Sequence, residues 1–218
     1  MKNGITELVF VLDRSGSMAS LADDTIGGFN ALIEKQKRQS GRCFVTTVLF
    51  DTRFERLHDR LPLEQVEPLT RDTYVPGGCT ALLDAVGDTI RHIAAIHRYA
   101  RPEDVPENTL FVITTDGMEN ASRRYSREEV RRRVAHEQEK YGWQFVFLGA
   151  NIDAFAAARD IGIREEMSAN FNADGLGMEL GFGAVDRAVT CARRAAPVAA
   201  DWKKDVEADH RERKPRRK

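Results

Sequence analysis

The sequence predicts an α/β fold in which helices cover both faces of a mostly parallel sheet. Short β-rich apolar runs alternate with longer helical stretches along the 218 residues, which is the pattern of parallel α/β folds. The runs at residues 7–12, 109–114 and 143–148 are almost continuously hydrophobic, as expected for strands that are covered on both faces. A chain of this length also has room for a three-layer core.

Six strands are predicted in order from the apolar runs. They lie at residues 7–12, 43–50, 54–58, 109–114, 143–148 and 166–169. Only Asp51, Thr52 and Arg53 separate the second strand from the third, and this connection is too short for a crossover helix. We therefore expect the third strand to be antiparallel and to lie at one edge of the sheet.

Five helices are predicted from apolar spacing and end signals. They cover residues 21–39, 81–96, 126–140, 153–160 and about 178–194. The third begins with Ser126 and Glu129, which have the spacing of a capping box. Gly27 and Gly28 weaken the first helix, so we expect them to allow close packing against the sheet. The glycine-rich stretch at 175–181 is expected to be a flexible connection.

The chain is predicted to form one domain over residues 1–197, followed by a basic, disordered tail over residues 198–218. The segment from His210 to Lys218 holds six basic residues and one glutamate, without apolar periodicity. The alternative is a basic arm that binds nucleic acid or an acidic partner.

Composition limits the classes of function. Charged residues make up 31% and hydrophobic residues 42%, which is typical of a soluble globular protein. The net charge of −1 gives no general attraction to nucleic acid or to anionic membranes. Three widely spaced cysteines indicate neither a disulfide framework nor a zinc site. The first apolar run is too short for a signal peptide, so we expect a cytoplasmic protein.

Oxygen-bearing side chains follow two of the predicted strands and lie in one glycine-rich loop. Asp13, Ser15 and Ser17 come directly after the first strand, Asp116 follows the fourth, and Thr80 ends the sequence Pro-Gly-Gly-Cys-Thr. Ligands of open parallel sheets bind at the carboxyl ends of the strands. If the first and fourth strands are neighbours, these five side chains converge on one spot. Such oxygen donors suit a hard cation such as Mg²⁺ or Mn²⁺.

The charges of these donors indicate what the predicted site can do. Two carboxylates neutralise a divalent ion, while three hydroxyls add neutral ligands. A hard octahedral cation prefers about six oxygen donors, and these side chains do not supply all six directly if the aspartates act through water. One coordination position therefore stays open for a carboxylate from another molecule.

The five residues resemble the metal-ion-dependent adhesion site (MIDAS) of von Willebrand factor A (vWA) domains, in the same order and at similar spacing. The resemblance implies a three-layer, doubly wound, Rossmann-like vWA fold. It also implies that Ser15, Ser17 and Thr80 bind the ion through their hydroxyls, whereas Asp13 and Asp116 mostly hold coordinating waters. An Asp or Glu of a protein partner would supply the remaining ligand.

The resemblance covers about residues 5–195. A stand-alone chain without a signal sequence is similar to bacterial intracellular members of the family, including those encoded near tellurite-resistance and stress operons. We therefore expect a complex of that kind, in which this chain binds a protein partner.

Residues after Asp116 are predicted to form a partner-binding rim around the ion. Glu119 and Asn120 would hydrogen-bond to coordinating waters or, as an alternative, cap a helix. Arg123 and Arg124 would attract an acidic partner loop, although such basic runs are commonly solvated helix faces.

A protein-binding module that is not an enzyme fits these residues best, because none is placed as a general base or nucleophile. One alternative is a metal-dependent phosphohydrolase, since Mg²⁺ beside Asp13 could handle phosphate. Asp13 does not begin the Asp-x-Asp pair that a phosphoaspartate mechanism would prefer. The other alternative is nucleic-acid binding through the basic tail.

Overall fold

The computed structural model describes residues 4–213, and six strands form its single sheet. The strands are β1 (Thr6–Asp13), β2 (Cys43–Phe50), β3 (Phe54–Pro62), β4 (Asn108–Thr115), β5 (Gln144–Ala150) and β6 (Ser168–Phe171). They are arranged in the order β3-β2-β1-β4-β5-β6. All neighbours are parallel except β2 and β3, which are antiparallel. The predicted fold class and the antiparallel edge strand are therefore confirmed.

Six α-helices of the described residues connect or follow these strands. They are α1 (Ala22–Lys37), α2 (Leu82–Tyr99), α3 (Arg127–Tyr141), α4 (Ala154–Asp160), α5 (Gly175–Arg193) and α6 (Lys204–Arg213). The capping box predicted at the start of α3 is present. The Ser126 hydroxyl accepts the Glu129 amide, and the Glu129 carboxylate accepts the Ser126 amide at 2.8 Å. This cap satisfies two amides that the first helical turn leaves without intrahelical partners.

Helices cover both faces of the sheet, which gives three layers. Alternate residues of β1 point to opposite faces because side chains alternate along a strand. Leu8, Phe10 and Leu12 pack in a core with α1, α5 and α6. Val9 and Val11 pack in a second core with α2, α3 and α4. The central strands are therefore buried on both sides, as the continuous apolar runs predicted.

Two details of the glycine-rich segments differ from the prediction. Gly28 packs against α5 rather than against the sheet, since a Cβ atom there would lie 2.2 Å from the Phe182 ring. The stretch expected to be a flexible connection instead forms the first turns of α5. The Asp174 carboxylate caps this helix by accepting the Gly177 amide at 2.9 Å, so capping and packing outweigh the weak helix propensity of glycine.

The prediction of a disordered tail from residue 198 is wrong for residues 204–213, which form α6. Trp202 and Val206 are buried in the core beside α5, and the Trp202 indole donates to the Glu166 carbonyl at 2.8 Å. Arg213 forms ion pairs with Asp174 and Asp209. Burial of these two apolar residues orders a segment whose charged composition indicated the opposite.

The remainder of the predicted tail, residues 214–218, lies outside the described residues. Between residues 4 and 213, no helix combines the length and the apolar character that are needed to cross a membrane.

Candidate metal centre

β1 and β4 are neighbours, so the segments that carry the predicted donors start side by side. In the parallel register of these strands, Leu12 lies opposite Thr114. The chain therefore leaves both strands at the same edge of the sheet, with Asp13 and Thr115 as their last residues. This meets the condition on which the predicted convergence depended.

The Asp13 carboxylate is fully buried and is held by hydrogen bonds to both oxygens. Oδ1 accepts the Ser15 amide at 2.7 Å, and Oδ2 accepts the Thr115 hydroxyl at 2.5 Å. The Tyr74 hydroxyl donates to the backbone carbonyl of Asp13. One lone pair of each carboxylate oxygen is used in this way, so the hydrogen bonds fix the position of the side chain and leave further acceptor capacity on both oxygens.

A row of oxygen atoms runs from the first loop to Asp116. The Ser15 and Ser17 hydroxyl oxygens are 3.2 Å apart, and the Ser17 hydroxyl donates to Oδ1 of Asp116 at 2.5 Å. Ser15 and Asp116 are buried, whereas Ser17 is exposed. The row is therefore open to solvent at the position of Ser17.

Thr80 completes the cluster from the second loop. A Cβ atom built on Gly117 would lie 3.0 Å from the Thr80 hydroxyl oxygen and 3.6 Å from that of Ser17. All three residues therefore meet at one point, and a side chain at position 117 would crowd the donors. The structure thus brings together the five residues that the sequence predicts as metal ligands.

Backbone hydrogen bonds join the two loops that carry the hydroxyl donors. The Gly16 amide donates to the Gly78 carbonyl at 3.2 Å, and the Gly77 amide donates to the Arg14 carbonyl at 2.9 Å. These paired bonds, which we call the loop clasp, fix the position of Thr80 relative to Ser15 and Ser17.

Glu119 and Asn120 hold the loops in place, and Glu119 does so by accepting a helix amide, as in the capping alternative. The Glu119 carboxylate accepts the amides of Leu83, Ala121 and Ser122 at 2.8–3.0 Å, as well as the Ser122 hydroxyl. It therefore satisfies an amide in the first turn of α2. The Asn120 side-chain oxygen accepts the Thr80 amide at 2.9 Å. Their predicted contact with a partner stays a prediction.

The two rim arginines are exposed, but Asp84 holds their backbone. The Asp84 carboxylate accepts the amides of Arg123, Arg124 and Tyr125 at 2.8–3.0 Å. The Arg124 guanidinium also lies over the Phe54 ring, 4.9 Å from its centroid. The basic rim is thus attached firmly to α2 beside the donor cluster.

Burial raises the pKa of both carboxyl groups in the cluster. For Asp13, the nearby Asp116 raises the pKa further, while hydrogen bonds from Thr115 and Ser15 oppose the shift. For Asp116, the hydrogen bond from Ser17 opposes the shift caused by burial. Two buried carboxylates close together are costly when both are ionised, and a bound cation would offset that cost.

The donor set fits a hard divalent cation. It consists only of carboxylate and hydroxyl oxygens, the ligands that Mg²⁺ and Mn²⁺ prefer. Residues 4–213 contain no cluster of three or more His, Cys, Asp or Glu side chains placed to hold a metal. The site therefore depends on its hydroxyl donors for coordination.

Sequence reasoning missed three residues that position the site: Tyr74, Asp84 and Thr115. Thr115 had a local signal, because it directly precedes Asp116 at the end of an apolar strand. Tyr74 and Asp84 lie within six residues of Thr80, but nothing in the sequence indicated their partners. The Asp13 carbonyl and the amides of residues 123–125 are distant along the chain and meet these side chains only in the folded protein.

No family profile matches the chain, and neither does any curated protein sequence. Among solved structures, the chain is similar to the vWF domain of the type V pili tip protein Mfa5 from Porphyromonas gingivalis. The TM-score is 0.59 and the identity 11%, over 85% of this chain and 95% of that one. It is also similar to the ArnB paralog VWA2 from Sulfolobus acidocaldarius, with a TM-score of 0.50 and 17% identity over 91% and 46% of the two chains.

A third similar structure is proximal thread matrix protein 1 from the mussel byssus, described with a zinc-occupied MIDAS motif. Its TM-score is 0.52 and its identity 14%, over 81% of this chain and 46% of that one. The chain thus spans about half the length of the mussel and Sulfolobus proteins that it matches. At these identities the likeness concerns the fold, and the chain has the fold of vWA domains.

Proposed function

We propose that this chain is a protein-binding module that holds Mg²⁺ or Mn²⁺ at its five-residue site. The hydroxyls of Ser15, Ser17 and Thr80 would hold the ion, with Asp13 and Asp116 acting mainly through water. The bound ion would supply an open coordination position for an Asp or Glu carboxylate of a partner protein. We further propose that the module works in the bacterial cytoplasm, in a stress-response complex of the tellurite-resistance type.

The observation that carries this proposal is the continuous row of oxygen atoms from Ser15 through Ser17 to Asp116. Its spacings are 3.2 Å and 2.5 Å, and its members come from segments 99 residues apart in the chain. Hydroxyls and carboxylates packed this closely, with two carboxyl pKa values raised by burial, make a cluster that gains stability from a cation. The zinc-occupied motif of the mussel protein, which has a similar fold, supports metal binding in general.

Protein binding is favoured over catalysis by the chemistry around the donors. Among the described residues, the recorded hydrogen-bond partners of the five donors are hydroxyls, backbone amides, an amide oxygen and a carboxylate, and none is a histidine, lysine or cysteine side chain, which supports a binding role. The exposed Ser17 and the arginines that follow Asp116 leave the site open to an acidic segment.

Calorimetric titration with Mg²⁺ and Mn²⁺ tests the metal site directly. Wild-type protein should bind one ion, and Ser17→Ala should weaken that affinity by about tenfold or more because it removes a hydroxyl ligand. Ser20→Ala is the matched control, since Ser20 is an exposed serine of the same short turn, Gly16–Leu21. Equal affinities for the two variants would contradict the proposal.

Capture of protein partners with and without EDTA tests the functional step. Capture should require the divalent ion and should be lost in Thr80→Ala, while circular dichroism shows that this variant remains folded.

A screen with phosphomonoesters and nucleotides tests the hydrolase alternative. Turnover that Asp13→Ala eliminates would replace protein binding with phosphate chemistry.

A further inference from the structure

An apolar pocket with a volume of about 180 Å³ lies beside the donor cluster. It is formed where the start of α2 and the segment 117–119 face α4. Its apolar walls are made by Leu82, Leu83, Met118, Ile152, Ala156 and Ile161. Met118 is 73% exposed, so its apolar side chain is accessible at the surface beside the pocket.

The polar side chains at the pocket already have partners. The Glu119 carboxylate is used by the amides of α2 and its own loop. Arg127 and Asp160 lie within 3.8 Å of each other across the mouth. The interior therefore offers apolar contact. A dry apolar cavity of about 150 Å³ is large enough for benzene, so this pocket has room for one branched or aromatic side chain.

The pocket and the donor cluster share a wall. Gly117 lines the pocket, and a Cβ atom on it would lie 3.0 Å from the Thr80 hydroxyl oxygen. An extended peptide advances roughly 3.3 Å per residue. A carboxylate at the cation and an apolar side chain in the pocket would therefore belong to residues only a few positions apart in one segment.

Positive charge near the site comes from the exposed rim arginines, Arg123 and Arg124, and not from the pocket lining. In the lining, Arg127 is paired with Asp160, and Glu119 and Asp153 add negative charge. Basic side chains next to a binding surface speed and orient the approach of an acidic partner. The adjacent donors of the cation site select for a carboxylate as well.

We propose that this pocket takes an apolar side chain of leucine or methionine size from the same partner segment whose carboxylate completes the cation site. The inference rests on the proposed function and adds to it: the partner motif would be an Asp or Glu with an apolar residue one to three positions away.

Blocked synthetic peptides provide the test, because the natural partner is not needed. One series carries Asp with Leu one, two or three positions before or after it, and glycine elsewhere. In matched peptides, Ala replaces Leu or Asn replaces Asp. Binding is followed by NMR titration in magnesium buffer. At one spacing, the Leu peptide should bind about tenfold more tightly than its Ala counterpart, as burial of one apolar side chain predicts.

Two variants and a control locate the effect. Ala156→Trp fills the pocket and should reduce the ratio of the Leu-peptide affinity to the Ala-peptide affinity to about 1. Binding of the Ala peptide should still require Mg²⁺. Met118→Gln should lower the ratio too, and it serves if the tryptophan variant does not fold. Ala95→Trp, at an exposed position in α2, should keep the wild-type ratio.

The outcomes separate this inference from the proposed function. A ratio near 1 at every spacing, with Asp-dependent and Mg²⁺-dependent binding intact, overturns the pocket inference alone. Leu-dependent binding that ignores both Asp and Mg²⁺ overturns the proposed function and the link between pocket and cation. A dimer in sedimentation that Ala156→Trp abolishes would show that a second copy of the chain occupies the pocket instead.

Discussion

The Thr115 hydroxyl donates a hydrogen bond of 2.5 Å to Oδ2 of Asp13, so the end of β4 fixes the carboxylate at the end of β1. Thr115→Val removes this donor while keeping the shape of the side chain. We expect the free energy of unfolding to fall by about 1–3 kcal/mol, because a buried carboxylate loses a hydrogen bond. Urea denaturation measures the change.

Thr109→Val is the matched control in the same strand. The Thr109 hydroxyl is buried and has no hydrogen-bond partner among the described residues. Its removal should leave stability unchanged or slightly higher. Similar losses for the two variants would show that the bond to Asp13 has no special role.

Stabilisation by Mg²⁺ should depend on pH. Burial raises the pKa of Asp13 and Asp116 above the ordinary value of 3.8, so the folded protein holds these protons more tightly than the unfolded chain. Their contribution to stability is complete below the ordinary value and is lost as the pH rises through the raised values. Through these two groups, acidification therefore increases the stability of the metal-free protein.

Protons and cations compete for the same carboxylates, so the increase in Tm caused by Mg²⁺ should shrink between neutral pH and about pH 5. Thermal unfolding with Mg²⁺ or with EDTA at each pH measures this increase. Asp116→Asn should show little increase at any pH. An increase that is constant across the range in the wild-type protein would exclude carboxylate ionisation as the linked process.

Glu119→Gln should loosen the attachment of the rim to α2. The substitution removes the charge that accepts the amides of Leu83, Ala121 and Ser122, and hydrogen bonds to charged groups are the stronger kind. We expect a loss of about 1–3 kcal/mol in unfolding free energy. The exposed Glu179 of α5 provides the control, Glu179→Gln, which should change stability little.

The adjacent glycines of α1 should respond in opposite directions to alanine. Gly28→Ala places a methyl group against the Phe182 ring and should cost about 1–3 kcal/mol. Gly27→Ala meets no atom within 4 Å and should stabilise the helix by about 0.5–1 kcal/mol. The denaturation midpoint should lie below that of the wild-type protein for Gly28→Ala and above it for Gly27→Ala. Midpoint shifts of the same sign in both variants would contradict the prediction.

Trp202→Ala tests whether α6 belongs to the domain. The side chain is buried beside α5, so its removal should cost about 3–5 kcal/mol. Arg213→Ala disrupts ion pairs at the surface end of the same helix and should destabilise the protein much less than Trp202→Ala. If Trp202→Ala has the same midpoint of urea denaturation as the wild-type protein, packing of α6 contributes nothing to stability.

Sequence patterns predicted the sheet and the meeting of the donor segments because these depend on local signals. Continuous apolar runs mark the buried strands, and the short connection after Phe50 marks the antiparallel edge. Asp13 and Asp116 each follow such a run, so their strands carry them to the same edge of the sheet. The polarity of the strands follows from these local signals, whereas the adjacency of β1 and β4 was a condition that the folded sheet meets.

The features that sequence reasoning missed depend on contacts between distant segments. Tyr74 reaches the Asp13 carbonyl across 61 residues, and Asp84 holds amides about 40 residues away. In the segment that forms α6, Trp202 and Val206 are apolar residues among charges, so composition indicated a solvated tail. Their burial is favourable because the apolar face of α5 is available to cover them. That face is in place only after the rest of the fold has formed.

The loop clasp has a dynamic consequence. Each loop gives one amide to a carbonyl of the other, so neither loop can open without breaking both bonds. The Gly16 and Gly77 amides should then exchange with deuterium at a common rate, slower than expected for surface turns. A ligand that binds Ser17 therefore also restrains Thr80, and the two loops move together when the site is occupied.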